Sequence, residues 1–284
     1  MRKYLYTWRR VKSAAFVGMT TLCTLITLVP LFFILYYVSR QGLTSVNLSF
    51  LTHLPKPTGE VGGGMANAIV GSAILLAIAV AVGVPIGVLG GVYLSEYGKN
   101  RLGNNIRFAA DVLVGVPSIV IGMFAWALIV VPMHSFSALA GGVALGIIMV
   151  PIVMRTTEES LKMVPKSLRE ASLALGAARW QTIIKVVLSA GRAGVITGIL
   201  LALARVAGET APLLFTSLGN KFWNFDLRKP TASLPVQIYT YAIAPYDDWH
   251  RQAWAGALVL IVGILLVNIT ARLVIGKMRV RTRR

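Results

Sequence analysis

Charge is scarce in this 284-residue chain. Asp, Glu, Lys and Arg make up 13% of it, about half the share in an ordinary soluble domain. Acid is scarcer still, with ten Asp and Glu against 28 Lys and Arg, a formal net charge of +18. Cys23 is the only cysteine, so neither an intramolecular disulfide nor a cysteine-based metal site is available. His53, His134 and His250 fall in three separate polar segments without ligand spacing. Solvated loop histidines, not a zinc site, are the expectation. No P-loop sequence occurs, which excludes an encoded nucleotide site of that kind. The His-Glu-x-x-His and Gly-x-Ser-x-Gly patterns are missing too. Ser118 and Asp111, seven residues apart, form no recognisable catalytic pair. These absences argue against an enzyme.

What the chain has instead is apolar length. Hydrophobic residues make up 56% of it and mean hydropathy is +0.72. Six candidate spans fall at 14–38, 65–94, 108–131, 136–154, 186–218 and 253–275. Crossing the hydrocarbon core takes about 20 apolar residues as a helix, and the second and fifth runs are long enough for tilted helices or for breaks. Backbone groups in lipid must be bonded within the segment, so the spans are helical. The expected fold class is all-α: a polytopic membrane protein with six transmembrane helices. Positive charge is distributed unevenly around them. Of the 28 Lys and Arg, 20 fall on the side of the two termini, six on the other, and Arg192 and Arg205 lie within the fifth span. This bias places both termini in the cytoplasm. It divides the chain into a cytoplasmic N-terminus (1–13), a six-helix domain (14–275) and a basic cytoplasmic tail (276–284), with a cytoplasmic loop at 155–185 and an external loop at 219–252. The basic N-terminus followed by an apolar run resembles a signal peptide. That run is too long for one and lacks a small-residue cleavage site, which makes it an uncleaved first span. The terminal Arg-Val-Arg-Thr-Arg-Arg suits anionic lipid. A nucleic-acid partner is not expected, since no aromatic platform interleaves with the charge.

Glycine and proline punctuate the spans. Gly83, Gly87 and Gly91 recur every four residues, a stripe that lets another helix approach closely. Gly142/Gly146 and Gly194/Gly198 repeat the spacing. Pro117 and Pro151 predict kinks in the third and fourth spans. The loop at 39–64 ends in Pro- and Gly-rich sequence, a flexible entry to the second span. The loop at 219–252 carries Trp223, Tyr239, Tyr241, Tyr246 and Trp249, which suit the membrane interface or an external partner.

One polar stretch between spans four and five reads as a surface helix. Ser167 and Glu170 have the spacing of a capping box, and Gly176 supplies a stop. The helix between them is about 12 Å long at 1.5 Å per residue and marginal alone. Leu168, Ala171, Leu175 and Ala178 give it an apolar stripe. Such a helix reads as a handle for a soluble partner.

Charge inside a span is the second signal. Near the bilayer centre it costs about 3 kcal/mol by insertion scales. Arg205 and Glu209 are four apart in the fifth span and can pair on one helix face. Arg155 lies at the end of the fourth span, and Arg192 is a further candidate that can snorkel. Arginine holds phosphate oxygens through paired donors. An anion path and a purely internal ion pair both fit these residues.

The polar stretch resembles the EAA loop of ABC importer permeases. That motif reads Glu-Ala-Ala, three residues, Gly, nine residues, then Ile-x-Leu-Pro. Here Glu170-Ala171-Ser172 is followed by three residues and Gly176, and nine more lead to Val186-Val187-Leu188-Ser189. The departures are Ser172, Val186 and Ser189. Gly115-Val-Pro-Ser-Ile-Val-Ile-Gly122, Arg155-Thr-Thr-Glu158, Arg205-Val-Ala-Gly-Glu-Thr-Ala-Pro212 and Ser233-Leu-Pro-Val-Gln-Ile-Tyr239 are similar to the phosphate-importer permeases of the PstA type. The resemblance runs from about the second span to the C-terminus.

It implies a MetI-like, type I ABC importer permease in the inner membrane of a prokaryote. Ser167, Glu170, Ala171, Leu175 and Gly176 would form the helix that enters a cleft of a separate ATPase. Arg205, Arg155 and Thr210 would belong to the phosphate path, with Glu209 holding Arg205 and gating. Implied partners are a homologous PstC-type permease, two copies of a PstB-type ATPase, an external PstS-type phosphate-binding protein and membrane lipid. ATP and Mg²⁺ would sit on the ATPase, with no cofactor on this chain. A permease for sulfate or molybdate is the nearest rival. A gradient-driven anion carrier, which needs no surface helix, is the rival from another class.

Overall fold

The computed structural model describes residues 2–281, and the side chains of residue 6 and of residues 8–273. The chain is helical throughout: α1 (Arg2–Leu43), α2 (Leu48–Thr52), α3 (Ala66–Glu96), α4 (Arg101–Gly115), α5 (Ser118–Met133), α6 (Ala138–Lys162), α7 (Lys166–Ala174), α8 (Arg179–Ala207), α9 (Ala211–Thr216), α10 (Leu234–Ala242) and α11 (Asp247–Arg281). Among the described residues the only β pairing is an isolated bridge, Pro55 to Gly63. The side chains of the basic tail lie outside the described residues.

Five helices, α1, α3, α6, α8 and α11, are long and apolar enough to cross a membrane. A sixth span exists if α4 and α5 count as one, and these two meet at 104°. This corrects the expectation of a merely kinked third span at 108–131. Val116, which precedes Pro117, is extended (φ −70°, ψ 131°), because the proline ring clashes with a helical residue before it. Pro117 then has no amide to continue the ladder. The fifth run, 186–218, long enough for a tilt or a break, is broken. Its helix begins at Arg179 and ends at Ala207, and a separate helix, α9, follows Gly208–Thr210. Pro151, by contrast, lies inside α6 without ending it. Single π turns interrupt α5 at Trp126–Val130 and α8 at Thr182–Val187, a feature of helices under local strain or at functional sites.

The centre is the α3–α6 pair, and its small residues explain why. A methyl group on Gly83 would lie 2.9 Å from Met149 Cβ, and one on Gly87 2.7 Å from Val153 Cβ. At Gly91 it would meet the Met154 carbonyl oxygen at 2.6 Å. The glycine stripe therefore acts in packing, as its spacing predicts. Leu75, Ala79, Leu145, Met149 and Val153 fill the seam, and Ala202 and Val206 of α8 join them. α8 runs antiparallel to α6, with Gly191 against Leu161, Gly194 against Ser160 and Gly198 against Thr156.

The two ends of the bundle are built differently. At the aromatic end, α2, α10 and the starts of α3 and α11 share a second core of Phe50, Met65, Leu234, Tyr241 and Ala253. The Tyr241 and Trp249 rings stack there at 4.3 Å. Backbone groups do much of the joining: Leu234 N–H donates to Ser72 Oγ at 2.7 Å, and Gly62 N–H donates to the Asp248 carboxylate at 3.1 Å. The basic end holds α7 and the α3–α4 turn, and charged side chains do the joining there. α1 lies along α11, with Tyr37 and Trp254 rings 5.6 Å apart. Little of the apolar stretch of α1 is buried within the chain.

Candidate functional site

Three of the sequence-derived positions belong to breaks in α8 and α9. Arg205 is in the last turn of α8, and the chain then turns through Gly208 and Glu209, whose amides donate to Arg205 and Val206 carbonyls. Thr210 stands as N-cap of α9, with no cap bond from its side chain. The Arg205–Glu209 pair therefore does not lie along one continuous helix, as its spacing suggested. Its closest N–O distance is 4.0 Å, with side-chain exposures of 49% and 18%. That is an ion pair without a hydrogen bond. The α4–α5 break comes near this one. A methyl group on Gly122 of α5 would lie 2.5 Å from Pro212 Cα of α9, so two interrupted helices pack on each other.

Arg155 sits elsewhere. Gly198 packs on Thr156, and Arg205 is seven residues further along α8, about 10 Å at helical rise. Arg155 instead meets Asp111 of α4 (3.1 Å) and Glu158 (3.2 Å). Glu158 is fully buried and also accepts from Arg107 Nε at 2.7 Å and Lys162 Nζ at 2.5 Å. A buried carboxylate is tolerable when paired and hydrogen-bonded on this scale. Three cations against two carboxylates leave one positive charge in excess, and Asp111 and Lys162 are the members most open to the surroundings, with Arg155 part-exposed. The structure thus separates Arg155 from Arg205 and joins Arg155 to a cluster at the basic end.

The surface helix is present as α7, and its cap differs from expectation. The N-cap is Pro165, with no side-chain cap bond, and the helix begins at Lys166. Ser167 is already inside the first turn, so its hydroxyl does not cap, and the Ser167–Glu170 capping box does not form. Pro165, held near φ −56°, ends α6 and sets the start of α7, since proline suits a helix start. The stop is as read. Gly176 takes φ +81°, its amide donates to Leu173 O (2.9 Å), and Ala177 N–H reaches Ser172 O (3.2 Å). This is a Schellman ending that needs a left-handed residue.

No residue of α7 is buried. Ser167, Glu170 and Ala171 are exposed, and Leu175 is 89% exposed. Leu168, Leu173, Met163 and Trp180 are exposed beside them. A short helix that buries nothing needs anchoring from elsewhere. Arg169 supplies it. Its guanidinium donates to Glu96 (2.8 Å), Val164 O (2.6 Å) and Leu161 O (2.9 Å). Ser172 and Thr182 hydroxyls meet at 2.9 Å. Sequence reading missed Arg169, Arg107 and Glu96. Pairs 73 and 51 positions apart have no spacing signature. The usable signal was scarcity, since with ten acidic residues each one at a span end merits tracing to a cation.

Among the described residues no group of three or more His, Cys, Asp or Glu is placed to hold a metal. His53 bonds to its own helix, and His250 Nε2 lies 2.6 Å from Ala244 O.

Residues 83–280 match the family described as binding-protein-dependent transport system inner membrane component. The chain belongs to this family. Relatives match over nearly the whole length. The phosphate transport system permease protein PstA of Yersinia pestis is 45% identical over 97% of this chain and 94% of its own. The protein of that name from Haemophilus influenzae is 41% identical, with 94% of each chain covered. The probable PstA of Methanocaldococcus jannaschii is 36% identical, again over 94% of each. A chain of the MetNI methionine ABC transporter, in an inward-facing conformation, superposes with a TM-score of 0.59 at 20% identity, covering 75% of this chain and 96% of that one. At that identity it shows the fold alone. This inner-membrane transport component is thus all-helical and shares the fold of that transporter chain, and its family match runs from the middle of α3 into α11.

Proposed function

We propose that this chain is the membrane-spanning permease subunit of an ATP-driven importer of inorganic phosphate. The observation that carries the reading is near-full-length identity of 36–45% to relatives named for phosphate transport. The chain works beside a homologous PstC-type permease, two copies of a PstB-type ATPase and an external PstS-type binding protein. ATP and Mg²⁺ bind the ATPase, and this chain performs no chemistry of its own. Both termini are cytoplasmic, by the excess of Lys and Arg at the α7 end. That orientation puts α7 on the ATPase side and the Trp223–Trp249 segment on the side of the binding protein.

α7, with Ser167, Glu170, Ala171, Leu175 and Gly176, is the handle. Its exposed leucines offer an apolar face and Glu170 a charge. ATP binding closes the ATPase dimer and draws on α7, the spans turn outward, phosphate enters from the binding protein, and hydrolysis resets them. Arg205, Glu209 and Thr210 form one station of the path, where broken helices free backbone groups and polar side chains at membrane depth. Arg155 forms a second, nearer the ATPase, in a cluster with surplus positive charge. Arginine donors suit a tetrahedral oxyanion, those of Arg205 directly and those of Arg155 only in exchange for a contact to Asp111 or Glu158.

The test is uptake of labelled phosphate into proteoliposomes holding the complete assembly, binding protein outside and ATP inside. Uptake should need both, and excess sulfate or molybdate should leave it intact. Competition by sulfate would give the path to another oxyanion. Uptake by this chain alone, driven by an ion gradient, would replace the reading with a secondary carrier.

A further inference from the structure

Three arginines from three helices converge on Leu94–Gly98, the last turn of α3 and the two residues after it. Arg107 of α4 donates to the Leu94 carbonyl (2.9 Å) and the Gly98 carbonyl (2.8 Å). Arg169 of α7 holds the Glu96 carboxylate, contacting both oxygens. Arg179, at the start of α8, donates to the Glu96 carbonyl (3.1 Å) and lies over the Tyr97 ring at 4.5 Å. Glu96 and Arg169 are largely shielded, with side-chain exposures of 10% and 20%, so their pairing is less screened than a surface bridge.

This arrangement answers a mechanical question left by α7. No residue of the helix is fully buried, and it packs mainly on the π turn at the start of α8, so side-chain packing alone is a weak route for its displacement into the spans. Its held contacts are the Arg169 fork and the Ser172–Thr182 hydroxyl pair. Arg169 reaches α3 and the end of α6 together, because the Leu161 carbonyl it satisfies is in the last turn of that helix and the Val164 carbonyl lies just beyond it. α3 and α6 are in turn interlocked along Gly83, Gly87 and Gly91, where no slack exists. Arg107 extends the connection to α4, since its Nε holds Glu158 of α6 while its other donors hold the end of α3. Asp111, one turn on, pairs with Arg155, and α4 ends at the 104° break. A continuous set of charged contacts thus links α7 to the broken span.

We propose that Glu96 is a positioning residue for transport, the point at which movement of α7 enters the spans through the Arg169 fork. It touches no substrate. Its carboxylate makes α3 and α7 move together, so that handle motion becomes span motion instead of helix slippage. This rests on the proposed role of α7 as the handle for the ATPase.

The experiment uses the full assembly in proteoliposomes and reads two quantities at once: phosphate taken up and ATP hydrolysed in the presence of binding protein. Glu96→Gln keeps the shape and removes the charge. Uptake should fall more than hydrolysis, so that ATP consumed per phosphate rises by about tenfold, within the span of ordinary coupling energies. Arg169→Lys keeps the charge but loses the fork to the two carbonyls, and should raise the ratio less. Exchanging the pair, Glu96→Arg with Arg169→Glu, should recover part of the loss. The inference is overturned if the ratio stays at the wild-type value in both single variants, whether rates hold or fall together, since a merely structural contact lowers both in step. Failure to recover an assembled complex with either single variant also overturns it, because Glu96 is then needed for folding. Glu170→Lys separates the two levels. If that change leaves uptake and hydrolysis intact, the handle reading itself fails. If it abolishes uptake while Glu96→Gln keeps the wild-type ratio, only the role of Glu96 falls.

Discussion

Arg155 and Arg205 lie on an antiparallel pair of helices, and they are held in opposite ways. Arg155 meets two carboxylates at 3.1 and 3.2 Å, inside a cluster whose centre, Glu158, has no exposed surface. Arg205 has one counterion at 4.0 Å and a half-exposed side chain. A guanidinium with its donors already engaged is first a structural member, because removing it strands its partners. One whose donors are free can bind an incoming anion without first breaking a contact. The difference gives the two proposed stations different characters: the arginine near α7 is stitched, the one at the α8–α9 break is open.

Variants can break or sharpen that contrast. The largest effect should come from Glu158→Ala, which leaves Arg107, Arg155 and Lys162 facing one another around a buried void. Loss of a buried paired charge costs about 3–5 kcal/mol, so the thermal midpoint of the purified complex should drop sharply and uptake should vanish with it. Retained stability would mean that the cluster is not structural. Next comes Arg205→Gln. Its effect on the midpoint should be small, since a long, part-exposed ion pair contributes about 0–1 kcal/mol. Uptake should fall by about 30-fold or more, the worth of a charge-assisted contact to the anion. A midpoint drop matching that of Glu158→Ala would erase the contrast.

Smaller effects follow. Arg155→Lys keeps the charge and gives up one of two bridges, so a midpoint loss worth about 1 kcal/mol is expected, with uptake reduced in proportion. Loss of uptake without loss of stability would move Arg155 into the same class as Arg205. The smallest change should be Gly176→Ala, which places a side chain at φ +81° and costs about 1 kcal/mol locally. Hydrogen exchange at the end of α7 should rise while the spans stay protected.

Much of the architecture was legible because membrane helices are long and apolar. The glycine stripe at Gly83, Gly87 and Gly91 named its own role, and Gly176 named its own turn. The breaks were only half legible. Pro117 announced a disturbance, yet the 104° angle depends on what α5 packs against, Pro212, nearly a hundred positions away. The length of the run at 186–218 allowed a break, yet Gly208-Glu209-Thr210 carries no proline until 212, so nothing in the apolar pattern placed it. The capping box failed because Pro165 started the helix one residue before Ser167 could serve. The Arg169–Glu96 fork and the Glu158 cluster were invisible to spacing, since long-range ion pairs follow from how helices meet and not from where they stand in the chain.

The account stands or falls most directly on one comparison. Phosphate uptake and binding-protein-stimulated ATP hydrolysis would be measured together in proteoliposomes of the full assembly, with wild type beside Arg205→Gln. The account predicts that uptake is lost while stimulated hydrolysis persists, because α7 and its anchors are intact and only the anion contact is gone. Uptake at the wild-type rate in that variant would contradict it and leave Arg205 as the partner of Glu209 alone.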